Sequence, residues 1–360
     1  MSLVNTRIQN IRSNSRLDKF ELRPSRYGAL NLFLDQSQDP NGILTPELVE
    51  KARTSIGNTL ETPVINYDAN ISIGNTRSVT IADSENTSAM VQFTFTTYSW
   101  GFTVTPAMYM NNEISIQRDF EAKMMKYIYK FASTLDKAAL AALATAKTQV
   151  MTNPLFYTFG SNAISAGWLQ RENLLGDLNV MMEANDFFGQ LHIVGDAGVQ
   201  SLVRKLAQKD LYNIENKRNE WGDKIFHFTN GIAAAEKTFA QGYAVQQGSV
   251  GLLTRFERDS ILGTRSGDGH EWGIATLPVL NMPVGTYFYD SVDDYSAIAG
   301  AATADMTRTR KEHYGFAVDV CFVTAYNSSP STLASPIIAF NVGYDAATDK
   351  LGLVVNNVGQ

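Results

Sequence analysis

Between Asn112 and Lys147 apolar residues recur at steps of three and four: Ile116, Phe120, Met124, Ile128, Phe131, Leu135, Ala139 and Leu143. That spacing lays one apolar stripe along a single long helix. Asn112 is suited to cap it and Glu113 falls in its first turn. At ~1.5 Å per residue the helix predicted over 112–147 runs on the order of 50 Å. Asp119 and Glu121 stand early and Lys137 and Lys147 late, as the helix dipole favours. Lys123, Lys126, Lys130 and Lys137 form a basic stripe, which reads first as the wet face of the helix.

The segment before this helix has a different texture. From Glu61 to Thr105 Thr, Val, Ile, Phe and Tyr are dense, a β-strand composition. Over Ala89–Thr103, Val91, Phe93 and Phe95 alternate with Gln92, Thr94 and Thr96, the period of a strand with one polar face. This predicts a long hairpin, with Pro63–Ile73 as the other strand and the polar residues from Gly74 to Asn86 at its tip. A two-stranded ribbon is marginal in water by itself. It therefore needs a surface to lie on, and a neighbouring subunit is the natural source.

Residues 1–26 carry six basic side chains against two acidic ones, in a chain whose net charge is −6. They read as a basic arm, either solvated or extended over an acidic neighbour or nucleic acid. Pro40-Asn41-Gly42 marks a turn. Thr45 then opens a short helix with Pro46 in its first position, ending near Gly57.

After the long helix, Leu169–Glu183 has a second helical face built on Leu174, Leu175, Leu178, Met181 and Met182. Leu191–Val194 reads as a strand, Gly195–Gly198 as a turn, and Val199–Gln208 as a helix capped by Asp196. Further strands are expected over Lys224–Thr229, Gly242–Phe256, Gly273–Tyr289, Gly315–Tyr326 and Pro336–Gly343. Helices and strands do not alternate, so the class is α+β.

The residues that carry chemistry are sparse. Gly195-Asp196-Ala197-Gly198 lacks the glycine spacing of a phosphate cradle, and Asp196 would place a negative charge at the anion site. His192, His227, His270 and His313 lie far apart, with no metal-ligand spacing, and His192 and His227 read as structural. Cys321, the sole cysteine, sits in an apolar run and reads as a small core residue. Only the 267–272 loop and the 290–294 cluster concentrate Asp, His and Glu, so an enzymatic reading would have to join His270 and Glu271 to Asp290. No cofactor is expected. The acidic balance argues against sequence-specific nucleic-acid binding. No apolar run approaches the ~18–20 residues of a membrane span, and the N-terminal residues contain no apolar signal-like stretch. Charged residues make up only 18% of the chain, fewer than the ~25% usual in soluble domains, which suggests extensive contact with other subunits.

The order of elements (basic arm, short helix, long hairpin, long amphipathic helix, mixed α+β region ending in strands) resembles the major capsid proteins of tailed bacteriophages, the Hong Kong 97 fold. Thr97–Leu143 carries the resemblance best, and Leu191–Leu206 and Ser335–Gly343 are also similar to family segments. The resemblance implies an arm with a short helix over 1–60 and an extended hairpin loop over 61–105 that reaches across the adjacent subunit. It further implies a peripheral domain with a spine helix over 106–167, an axial domain over 168–312, and return strands over 313–360. The implied protein is not an enzyme. It assembles into hexamers and pentamers of an icosahedral head in the bacterial cytoplasm, encloses double-stranded DNA bound nonspecifically, and ends in the virion. A separate scaffold protein, a portal and a possible decoration protein are the implied partners, with no N-terminal cleavage and no membrane. Contacts between subunits are expected at Arg7, Arg12, Arg16, Ile73, Asn75, Arg77, Glu85, Phe93, Lys126 and Lys130. Alternatives are an encapsulin-type compartment enclosing cargo enzymes, a tail or adhesive structural protein, and the composite-site hydrolase.

Overall fold

The computed structural model describes residues 3–13, 27–39, 42–54, 57–66, 87–106, 116–147, 154–160, 162–210, 224–233, 238–255, 266–267, 270–293, 309–324 and 335–343. Its helices are α1 (Leu3–Ser13), α2 (Gly28–Gln36), α3 (Pro46–Thr54), α4 (Ile116–Ala146), α5 (Arg171–Glu183) and α6 (Ala197–Asp210). The strands up to α6 are β1 (Thr59–Asn66), β2 (Thr87–Thr94), β3 (Thr96–Val104), β4 (Thr158–Gly160), β5 (Ala163–Ala166) and β6 (Leu191–Gly195). Beyond it come β7 (Lys224–Phe228), β8 (Thr238–Gln246), β9 (Val250–Arg255), β10 (Ser266–Gly267), β11 (His270–Thr276), β12 (Pro283–Asp293), β13 (Thr309–Thr324) and β14 (Ile337–Gly343). The class is α+β.

The strands form three sheets. β1 and β2 make a two-stranded ribbon. A six-stranded antiparallel sheet runs β10-β11-β12-β13-β3, with β9 also paired to β13. The second six-stranded sheet runs β4-β5-β14-β8-β6-β7 and is mixed, since β14 lies parallel to β5 and β6 parallel to β7.

α4 is the backbone of the largest core. Phe120, Met124, Ile128, Phe131, Leu135, Ala139 and Leu143 are buried along one stripe, where they meet Phe102, Tyr314, Phe316 and Val318 of the first sheet. Trp100 stacks on Phe316 and packs at a tilt against Phe131, and Phe102 stacks on Tyr314 and Tyr127. Such ring contacts add to plain apolar burial. α5 and α6 cover the second sheet through Leu174, Leu178, Met181, Val199 and Leu202. α6 approaches so closely that a Cβ on Gly198 would sit 1.9 Å from the Phe239 carbonyl oxygen. Asp196 caps this helix, its Oδ1 accepting the Val199 N–H at 2.9 Å.

Two expectations require correction. The run 89–103 is not one strand. β1 pairs with β2 from Thr59↔Thr94 to Asn66↔Thr87, the chain passes through buried Phe95, and β3 leaves to pair with β13. The reason is a slip of phase: inward side chains are odd-numbered up to Phe93 and Phe95, but even-numbered at Phe102 and Val104, and a one-residue slip turns a strand over. Strands distant in sequence share sheets: β9, β11 and β12 join the sheet packed on α4, whereas β5 and β14 join the sheet under α5 and α6. Strand partners are chosen over long sequence distances that local patterning does not encode. Finally, the described part of the basic arm is a helix, and Val4, Ile8 and Ile11 bury its apolar stripe in the chain's own main core.

Candidate assembly surfaces

The ribbon is attached to the body at its root. Phe93 and Phe95 pack with Leu60, with Leu48 and Ala52 of α3, and with Leu253, Cys321 and Val323 of the first sheet. Farther out, Met90 is 56% exposed, and among the described residues no third strand pairs with β1 or β2. Phe93 is thus a root residue facing the subunit's own interior. Ile73, Asn75, Arg77 and Glu85 lie outside the described residues.

Arg7 is likewise used internally. Its guanidinium pairs with Glu312 at 2.9 Å and lies against the rings of Phe120 and Tyr314. The Tyr314 hydroxyl donates to the same carboxylate at 2.7 Å. Burial, and next this hydrogen bond to an acid, push the Tyr314 phenol well above its ordinary range. An ion pair enclosed by aromatic rings fastens α1 to the subunit. Arg12 lies on α1 with its side chain outside the described set, and Arg16 lies outside it altogether.

Lys126 and Lys130 are exposed on α4 together with Lys137, opposite the buried stripe. Lys123 differs: it pairs with Asp119 at 2.7 Å and donates to the Thr103 carbonyl at 2.9 Å. Three lysines of the stripe therefore remain outward as a cationic face.

One surface was missed in the sequence. On the face of the first sheet away from α4, Trp272 and Tyr287 stand opposite each other with rings 4.3 Å apart, and Tyr289 stacks on His313 at 4.2 Å. His270 joins this group, its Nδ1 lying 2.6 Å from the Tyr287 hydroxyl. Beside these rings is a trough of about 450 Å³ floored by Ser99, Gly101, Gly285, Gly315 and Ala317. The alternation of aromatic and small residues was visible, but only the cross-strand register brings the four strands together.

The strand geometry separates the candidate catalytic residues. His270 lies on the outer face, whereas its neighbour Glu271 reaches the other way, to accept the Leu3 N–H at 3.2 Å. Asp290 pairs with Arg310 at 2.7 Å. The three do not converge. His192 and His227, on adjacent parallel strands, are buried and hydrogen-bonded at 3.0 Å. Burial lowers both pKa values, that of His227 to about 4, with the charge of His192 a second cause there. Burial likewise pushes the Cys321 thiol up to about 12, leaving it unreactive. Among the described residues no group of three or more His, Cys, Asp or Glu is placed to hold a metal ion, and no helix is long and apolar enough to cross a membrane.

No family model and no curated protein matches the chain. In solved structures its fold resembles phage capsids. It is similar to the capsid of Ralstonia phage GP4 at 10% identity, covering 89% of this chain and 92% of that one, with a TM-score of 0.49. It is similar to the mature capsid of bacteriophage PhiM1 at 11% identity, covering 84% and 88%, with a TM-score of 0.42. For the capsid structure of cyanophage P-SCSP1u the identity is 11%, the coverage 82% and 86%, and the TM-score 0.41.

Proposed function

We propose that the chain is a major capsid protein whose copies form hexamers and pentamers of an icosahedral phage head around double-stranded DNA. The observation that carries this reading is the β1–β2 ribbon. It is paired with no other strand among the described residues, is held at its root by a small apolar cluster, and bears an exposed Met90 farther out. Such a ribbon gains a stable seat only against another molecule. In a ring of identical subunits each ribbon lies on the next copy, a heterologous contact that closes through rotation. The low charge of the chain suits a protein most of whose surface meets copies of itself. In this reading the role is structural and not enzymatic. Assembly takes place in the host cytoplasm on a separate scaffold protein and a portal, and the exposed lysines of α4 offer nonspecific phosphate contacts to packaged DNA.

Light scattering and electron microscopy of the full chain test this reading. Five- and six-fold rings or megadalton shells are expected, and deletion of residues 74–87, which fall between β1 and the second residue of β2, should leave a folded subunit that forms none. A monomer at every concentration, with the scaffold protein present, overturns the proposal. Normal shells from the deletion overturn the role of the ribbon, and shells filled with protein cargo instead of nucleic acid point to an encapsulin-type compartment.

A further inference from the structure

Arg255, the last residue of β9, gathers both roots of the ribbon onto one side chain. Its Nε and Nη2 donate to Asp319 Oδ2 on β13 at 3.1 and 3.0 Å. Its Nη1 donates to the Gly57 carbonyl at 2.7 Å, and Nη2 also reaches Asn58 Oδ1 at 3.5 Å, just before β1 begins. The guanidinium carbon lies 4.5 Å from the ring centre of Phe95, the residue through which the chain leaves β2 for β3. The side chain is only 9% exposed. Asp319 in turn accepts the Thr97 hydroxyl at 2.6 Å, so the start of β3 joins the same cluster.

The other ties between ribbon and body are the apolar cluster around Phe93, Phe95 and Leu253 and a hydrogen bond from the Lys51 ammonium at the exposed edge of α3 to the Glu61 carbonyl of β1. Apolar contact is non-directional: it holds two parts together without setting the angle between them. A planar guanidinium is the reverse, because its donors leave in a fixed fork. We infer that Arg255 is a positioning residue that fixes the direction in which the β1–β2 ribbon leaves the subunit. One rigid plane touches the segment going out, the residue coming back and the body strand between them. Lysine would keep the charge but not the fork, and methionine would keep the apolar stem but neither charge nor fork. A further consequence, which rests on the capsid reading, is that Arg255 sets the angle between neighbouring copies and hence the size of the closed particle.

The test is a pair of nitroxide labels, one at Met90→Cys on the ribbon and one at Lys130→Cys on α4, read by pulsed electron spin resonance on the full chain diluted with unlabelled protein. Cys321 is buried with a raised pKa, so it stays unlabelled. The parent protein should show one narrow distance. Arg255→Lys and Arg255→Met should each lose it for a broad distribution, while near-ultraviolet dichroism shows the core intact. If Arg255→Met does not fold, the lysine variant decides alone. A narrow, unshifted distance in a folded variant overturns the inference, and the apolar cluster then sets the angle. Electron microscopy tests the consequence separately: broadened distances with particle sizes unchanged refute the link to particle size and leave the positioning role standing, whereas a spread of sizes supports both.

Discussion

Asp136, in the third quarter of α4 and 2% exposed, accepts the backbone N–H of Leu30 in the first turn of α2 at 3.1 Å. Tyr27, at the N-terminal boundary of α2, contributes no side-chain cap. A carboxylate from a different helix, 106 residues away, thus satisfies donors that every helix start leaves open, and its charge suits the positive end of the α2 dipole. The same carboxylate accepts the Thr229 hydroxyl at the end of β7, so one buried group joins α2, α4 and the second sheet.

Removing that group should cost far more than removing a surface acid. Asp136→Ala leaves buried N–H and hydroxyl donors without partners, and the expected loss is about 3 kcal/mol. Asp136→Asn, which keeps one acceptor oxygen, should lose less. Urea unfolding of the two variants beside the parent gives the comparison, and equal stabilities would show that the contact contributes nothing.

The histidine pair predicts a pH dependence with a definite sign. His227 has its pKa lowered from 6.5 to about 4 when folded, so between those values the unfolded chain binds a proton that the folded chain refuses. Stability should therefore fall as pH drops from about 6.5 towards 4, by at most about 1.4 kcal/mol per pH unit for one such proton. His192 contributes in the same direction, opposed in part by the charge of Asp39. Denaturation midpoints across that range should show the slope, and His227→Gln should flatten it.

Two glycines on neighbouring helices should respond oppositely to alanine. At Gly198 the added Cβ meets backbone of β8, and the strain should cost about 2 kcal/mol or more. At Gly176, inside α5, a Cβ meets nothing within 4 Å, so alanine's better helix propensity should raise stability by about 0.5–1 kcal/mol. Thermal unfolding midpoints moving in opposite directions would bear this out.

Arg7 and Glu312 should show strong non-additivity. Arg7→Ala leaves the buried Glu312 carboxylate with only the exposed Arg310, 4.0 Å away, as cation, and should cost about 3 kcal/mol. Arg7→Met combined with Glu312→Gln should cost less than Arg7→Ala alone, because neither partner is then an unpaired charge. A double-mutant cycle reads the coupling directly.

How much of this was legible in the sequence depended on how local the cause was. Every core residue expected on α4 from Phe120 to Leu143 is buried, because a 3.6-residue period is written into adjacent turns. The break at Phe95 was also legible in principle, as the change from odd to even inward positions, but the run of β-formers across it concealed the slip. In the N-terminal segment Val4, Ile8 and Ile11 marked a helical stripe that the surrounding positive charge outweighed. The partnership of Arg255 with Asp319 could not be read at all, since it depends on β9 pairing with β13 across 64 residues. The ring group around Tyr287 was hidden for the same reason, as its members come from three strands whose order only the folded sheet reveals.

β13 is sixteen residues long, with β3 along one edge and first β12, then β9, along the other. A pull on the ribbon reaches the rest of the subunit through β3 and Arg255, both of which grip this strand. Load applied along such a ladder is shared by many hydrogen bonds at once, whereas a strand peeled from a free edge breaks them one after another. The strand thus acts as a tie-bar, stiff under tension along its length.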